Sequence, residues 1–313
     1  MAAAIETMAY LGATPWHGLG EKLDESDKYD WEKCRVKAGL DWDVELTDLV
    51  TGDTHQKVDM KGVRRKTDNK ILGVVGPRFT PLQNVDAFKW FQPFLDAREA
   101  ELNTAGALKE GSRVWVLAKL NRDPVEIVPN DIVEKYILLS HGHDGSLAVR
   151  VGFTPIRVVC QNTLSMAHGD KASKLIRIRH SKQVTYNLEN IRDIMNVANQ
   201  EFEATAEQYR LLARKSINQD DIRAYVKKVL KLEDKDSTRS NNIIEEVVGL
   251  TVSGRGNDNV RVRGTLWGAY NGITEYLSWQ RGNSPDTRIN ALWYGEGATM
   301  SKSALDIALE MAA

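Results

Sequence analysis

The residues best placed to do chemistry lie between 150 and 182. An apolar strand running from Val151 to Cys160 breaks into a polar cluster, Arg157, Gln161, Asn162 and Thr163, where a helix should begin. Hydrogen-bonding groups held at a strand end can read a ligand, whereas a core strand rarely keeps so many of them. Basic residues follow: Lys171, Lys174, Arg177, Arg179, His180 and Lys182. With Arg150 and Arg157, the stretch 148–182 carries seven Lys or Arg against one acid, Asp170, in a chain whose net charge is −1. A local excess of this size points to an anionic partner, nucleic acid foremost.

Two further basic clusters extend the idea. Lys61, Arg64, Arg65, Lys66 and Lys70, with Arg78 beyond them, fall in a region of alternating strands. Arg255, Arg261 and Arg263 precede the aromatic pair Trp267 and Tyr270. Single strands are held by cationic grooves that follow phosphates and by flat groups on which bases stack, and Arg supplies both. The near-neutral total charge confines any such groove to one face. Acidic residues at Glu21, Asp24, Glu25, Asp27, Asp30 and Glu32 supply an opposing surface.

Other chemistries find less support. No Gly-x-x-x-x-Gly-Lys-Ser/Thr or Gly-x-Gly-x-x-Gly run occurs, which argues against nucleotide hydrolysis and dinucleotide chemistry. His141, His143 and Asp144 with a distant Cys160 are conceivable zinc ligands, but no Cys-x-x-Cys or His-Glu-x-x-His pattern accompanies them. Cys160 beside His168 or His180 makes a poor nucleophile, because apolar surroundings raise a thiol's pKa. The expectation is a non-enzymatic protein without cofactor or metal.

The elements that must position these residues read as α+β. Residues 42–75 alternate with turns at Thr51–Thr54 and Thr67–Lys70, the pattern of an antiparallel meander. Val85, Phe88, Phe91 and Leu95 predict a helix over 84–100 capped by Asn84. Strands are expected at 112–119 and 136–140, the latter paired through the turn 141–146 with 147–151. From Asn187 a heptad seam of Leu188, Ile191, Met195, Ala198, Phe202, Thr205, Tyr209 and Leu212 predicts a long helix that packs either on its own domain or against another subunit. Helices at 220–232 and 266–277 follow, separated by a polar link over 233–242. The expected organisation is an α+β domain at 1–184, its meander packed on helices, and a mainly helical region at 185–313. No apolar run approaches a membrane span and no secretion signal is visible, so a cytoplasmic protein is expected.

Four blocks carry a resemblance: Leu11-Gly-Ala-Thr-Pro-Trp-His-Gly-Leu-Gly20, Gly73-Val-Val-Gly-Pro-Arg-Phe-Thr-Pro-Leu-Gln-Asn84, Arg157-Val-Val-Cys-Gln-Asn-Thr-Leu164 and Gly264-Thr-Leu-Trp-Gly-Ala-Tyr-Asn-Gly-Ile-Thr-Glu-Tyr276. Together they resemble the phage/plasmid-like proteins of unknown function. The resemblance implies a mobile-element setting and brings no catalytic residues. More distantly, meander followed by helix is similar to the protomer of single-strand annealing proteins, which form rings with DNA in a basic groove.

These readings combine into one expectation: a homo-oligomer that binds single-stranded DNA in annealing or recombination. Arg64, Arg65, Lys66, Arg78, Arg150, Arg157, Gln161, Asn162, Lys174, Arg177, Arg179 and Lys182 would contact the strand. Leu188, Ile191, Met195, Phe202, Tyr209 and Leu212 would contact a neighbouring subunit. The rivals are a protein that blocks a host defence or regulatory factor through its acidic or aromatic surfaces, and a metal-dependent DNA-processing enzyme.

Overall fold

Alternation over 42–75 does fold as a meander: β3 (Val44–Val50), β4 (Lys57–Arg65) and β5 (Ile71–Val75) form an antiparallel sheet in that order. Thr51 N–H donates to Gln56 O at 2.9 Å, closing the first hairpin, and Val44, Val63, Leu72 and Val75 enter the core. The computed structural model describes residues 5–12, 20–121, 124–157, 162–163, 176–189, 195–232, 237–282, 291–292 and 295–313. These group into two compact units. Unit 1 comprises 1–122, 136–153 and 174–196, and unit 2 comprises 123–135, 154–173 and 197–313. The grouping differs from a single division after residue 184, because the chain enters each unit three times.

Unit 1 contains a second, larger sheet. β1 (Ile5–Tyr10), β2 (Glu21–Lys22), β6 (Ala100–Leu108), β7 (Arg113–Leu120), the latter part of β9 (Asp131–Gly142), the start of β10 (Val149–Arg157) and β12 (Ile176–Ile178) lie in the order β2-β1-β6-β7-β9-β10-β12. One face alternates Ala105, Ala107, Val114, Val116, Ile137, Leu139, Val149 and Val151 into the core. Gly106 lies opposite Trp115, where a Cβ would come within 2.4 Å of the indole and 2.5 Å of Thr7 O, so only glycine admits that ring.

Helices α1 (Trp31–Lys37), α2 (Asn84–Lys89), α3 (Gln92–Asp96) and α4 (Val184–Glu189) complete unit 1. The single helix expected over 84–100 is broken in two and ends early. Pro93 has no N–H to continue the ladder, and Arg98 adopts φ 57° before β6 begins at Ala100. Phe88, Phe91 and Leu95 are nevertheless buried as the spacing predicts. Asn84 is not the cap. It is buried, and its Nδ2 donates to Leu40 O (3.3 Å) and Trp42 O (3.2 Å), while Gln83 precedes the helix in extended conformation.

Unit 2 is built from α5 (Met195–Arg214), α6 (Gln219–Leu230), α7 (Thr238–Ser253), α8 (Leu266–Glu275) and α9 (Glu296–Ala312), with β8 (Val125–Val128) pairing the start of β9. Every residue of α8 is buried, which makes it the central helix. Gly272 lets α7 close in: a Cβ there would sit 2.7–2.9 Å from Thr251 Cγ2, N and Cα. α7 starts inside the expected polar link, capped by Ser237 accepting from Ser240 N–H at 3.1 Å. Neither α7 nor α9 was expected from the sequence.

The heptad seam divides between the units. Leu188 lies on α4 in the core of unit 1, where its carbonyl accepts from Trp90 Nε1 at 2.8 Å. Phe202, Thr205, Tyr209 and Leu212 lie on α5, each at most 1% exposed, and the three hydrophobic ones belong to the core of unit 2. This corrects the expected oligomer contact: these side chains pack within their own units and offer no surface to another subunit. Ile191 lies outside the described residues, and Met195 opens α5.

Trp267 organises unit 2. Its ring packs 4.8 Å from that of Tyr209 and 5.9 Å from that of Tyr270, and Nε1 donates to the buried Asp131 carboxylate at 2.7 Å. Trp267→Phe keeps most of the ring but removes that donor, so it is expected to lower stability by about 1–3 kcal/mol. Urea denaturation would register the loss as a lower midpoint at unchanged slope; an unchanged midpoint would deny this hydrogen bond a structural role.

Candidate nucleic-acid interface

The meander places most of its cations opposite acids. Glu45 lies directly across from Arg64, and Asp48 from Lys61. Arg64 Nε donates to Glu45 Oε1 at 2.9 Å and its Nη2 pairs with the same oxygen. Lys61 pairs with Asp48, Lys57 reaches Asp48 at 3.0 Å, and Lys70 pairs with Glu110. Counting outward from the turn does not give this pairing, because a bulge shifts the register between Asp48 and Leu49 and moves Lys61 and Arg64 opposite their acids.

Arg65 departs furthest from expectation. It is 6% exposed, its guanidinium grips Asp68 through Nε (3.0 Å) and Nη2 (2.6 Å), and Nη1 donates to Glu6 at 2.9 Å. The guanidinium carbon also lies 5.2 Å from the Trp42 ring centre. Arg65 is therefore corrected from a strand contact to a buried structural cation. Arg64 is paired rather than free, and Lys66 is exposed at the start of the next turn.

A different set of cations gathers around β12. Ile176 and Ile178 turn toward the core, so Arg177 and Arg179 emerge on the opposite side, both exposed. Arg150, half-buried on β10, is the direct cross-strand partner of Arg177. The exposed Lys182 follows one turn later. The loop after β5, residues 76–80, is tied to the same place. Phe79 stacks on His180 with ring centres 4.5 Å apart at 25°, and Thr80 N–H donates to His180 O at 3.3 Å. This lock holds the loop carrying Arg78, exposed and adjacent to Phe79, against the segment carrying Arg179, adjacent to His180. Arg78, Arg177, Arg179 and Lys182 form no ion pair with another described residue.

The polar cluster at the other end of β10 belongs to unit 2. Arg157 and Asn162 are cross-strand partners in the short pair β10 with β11 (Asn162–Thr163), so a strand begins where a helix was expected. Gln161 and Lys174 lie outside the described residues, as does Cys160. Of the third cluster, Arg255 stacks its guanidinium 4.0 Å from the Trp279 ring centre, and Arg261 and Arg263 are exposed. Trp267 and Tyr270, expected beside them as stacking surfaces, are fully buried.

The two histidines considered as metal ligands are core residues at the end of β9, both 0% exposed. Their rings meet edge to face at 4.9 Å, and His143 lies 5.4 Å from the Trp42 ring. Among the described residues, both ring nitrogens of His141 and Nδ1 of His143 have no hydrogen-bond partner, and His143 Nε2 faces Asn84 Oδ1 at 3.4 Å. Burial is the main reason that the His143 pKa is driven down to about 3 and that of His141 well below its usual value. Both are neutral at pH 7. Among the described residues no three side chains are grouped to hold a metal ion. Cys34 is also buried, and loss of solvent pushes its thiol up to about 12.

A profile described as a domain of unknown function (DUF932) matches residues 71–296, most of the chain. That span includes the loop 76–80, β12 and the helices α5 to α8 of unit 2. No curated protein and no solved structure matches the chain. No helix among the described residues is long and apolar enough to cross a membrane.

Proposed function

We propose, from the premise that the chain belongs to the DUF932 family, that it binds single-stranded nucleic acid along the rim formed by loop 76–80 and β12. One observation supports this reading above the others: the Phe79–His180 lock holds the loop of Arg78 against the segment that carries the exposed Arg177, Arg179 and Lys182. Arginine binds phosphate through paired donors and stacks on bases, and exposed, unpaired side chains keep both capacities available. The resemblance to phage/plasmid-like proteins makes DNA the favoured strand and annealing or recombination in the cytoplasm the favoured step. Self-assembly remains part of the proposal, through a surface other than the α5 seam. No cofactor is invoked.

Of the two rival surfaces for a host protein, the aromatic block is buried, whereas Glu21, Asp24, Glu25 and Glu32 of the acidic segment are exposed.

The test is fluorescence anisotropy of a labelled oligothymidylate and a matching duplex across a salt series. Arg177→Ala with Arg179→Ala is expected to weaken single-strand binding and to reduce the slope of log affinity against log salt by about 1.4, at about 0.7 per lost phosphate contact. An unchanged slope would remove the two arginines from the site. No binding at low salt would end the nucleic-acid reading.

A further inference from the structure

His180 occupies an unusual position in the rim. Its Nδ1 lies 3.2 Å from Thr80 O and its Nε2 lies 3.1 Å from Leu147 O. Both partners are carbonyl oxygens, which only accept. A neutral imidazole carries one N–H and satisfies one of them, while its bare nitrogen faces the lone pairs of the other. The imidazolium carries two N–H groups and satisfies both. Protonation thus adds a second bond that ties loop 76–80 to the turn before β10, on top of the Phe79 stack and the Thr80 N–H bond.

The charges around it are mixed. Asp144, in the turn between β9 and β10, favours the cation; it accepts from Ser146 N–H at 2.9 Å and lies 4.0 Å from Arg113. His141 and His143, from the end of β9, are buried and neutral. Arg78 adjoins the stacked Phe79, and Arg179 and Lys182 flank His180 on its own segment. Burial is what disfavours the cation in the empty protein. A phosphate strand laid across Arg78 and Arg179 would bring negative charge toward the ring and favour the imidazolium.

We propose that binding of a nucleic-acid strand to this rim is coupled to uptake of a proton at His180, which then clamps the Arg78 loop against β12. The coupling rests on the nucleic-acid reading above and adds its regulation: affinity rises as pH falls, and the strand raises the proton affinity of His180. The linkage is reciprocal, so the gain is at most about tenfold for each unit by which the bound strand raises the His180 pKa. Phosphodiesters stay fully ionised throughout, so the titration belongs to the protein.

Calorimetry of oligothymidylate binding near pH 6.5, repeated in buffers of different ionisation enthalpy, counts the protons taken up. Wild-type protein is expected to absorb a fraction of a proton per site, and His180→Gln, which keeps an amide donor but cannot titrate, to absorb less. Affinity measured from about pH 8 to about pH 5.5 should rise more steeply for wild type than for His180→Gln. Equal uptake and equal slopes overturn the coupling while leaving strand binding intact. Absence of binding at every pH overturns both readings together. Should His180→Gln fail to fold, the imidazole resonance of His180 in wild-type protein decides: its titration must move to higher pH on adding the oligonucleotide, and a stationary midpoint overturns the proposal.

Discussion

Lowering the pH from 7 to 5 is expected to cost unit 1 about 2 kcal/mol through His143 alone, with His141 acting in the same direction. The ring of His143 is fully buried and its pKa falls to about 3, whereas in the unfolded chain it returns to the ordinary histidine value near 6.5. Between those values the unfolded chain binds a proton that the folded protein refuses. Stability is therefore complete above the unfolded value and declines as pH falls toward 3. Burial also holds the pKa of His180 below its usual value, which adds to the slope. Hydrogen exchange at the amides of β7 and β9, compared at pH 7 and pH 5 after correction for the intrinsic rate, would measure the change. Replacing His143 by Leu should shrink the difference between the two pH values by about 2 kcal/mol, whatever the substitution does to stability at pH 7. Equal protection at both pH values in wild-type protein would mean that the imidazoles find partners or solvent.

Arg65→Ala should lower stability by about 3 kcal/mol and leave the salt dependence of strand binding untouched. The guanidinium is shared by Asp68 and Glu6 and packs on Trp42, so truncation strands two carboxylates near each other and opens space beside the indole. Both carboxylates retain some contact with water, which keeps the loss toward the lower part of the range for broken buried pairs. Arg65→Lys should recover little, since an ammonium cannot grip Asp68 with two parallel bonds while also reaching Glu6. The pair leaves an acid signature too. Arg65 holds the Asp68 carboxyl down to about 2, so its contribution is present above the unfolded value near 4 and is lost as pH falls through 2. That window lies below most of the histidine window, and an acid titration of the Arg65→Ala variant should lack it. A reduced salt slope in Arg65→Ala, with stability unchanged, would return Arg65 to the binding surface.

Local pattern carried much of the architecture. The period of two over 42–75, broken by Thr51–Thr54 and Thr67–Lys70, specified the meander, and a pleated strand has no other way to bury Val44, Val63 and Val75 together. The apolar spacing of α5, α6 and α8 likewise identified real helices. Burial patterns do not say what does the burying, however. The seam through Phe202, Tyr209 and Leu212 looks the same whether a neighbouring helix or another subunit covers it, and here the cover is Trp267, Tyr270 and their neighbours. Two long helical stretches, α7 and α9, escaped notice because their polar and small residues blur the apolar stripe.

The sequence by itself determined that the chain mixes strands and helices, that its first half holds a meander, and that positive charge is concentrated near β12. Those are consequences of short-range periodicity and composition, which need no knowledge of what meets what. Which cations are free was decided only by the tertiary structure, because an arginine's availability depends on partners distant in the chain. Arg65 is consumed by Glu6, 59 residues away, whereas the loop carrying Arg78 is held to the segment carrying Arg179 by a lock between Thr80 and His180, 100 residues apart. Charge clusters that look alike in sequence thus become a structural ion pair in one place and an open rim in the other.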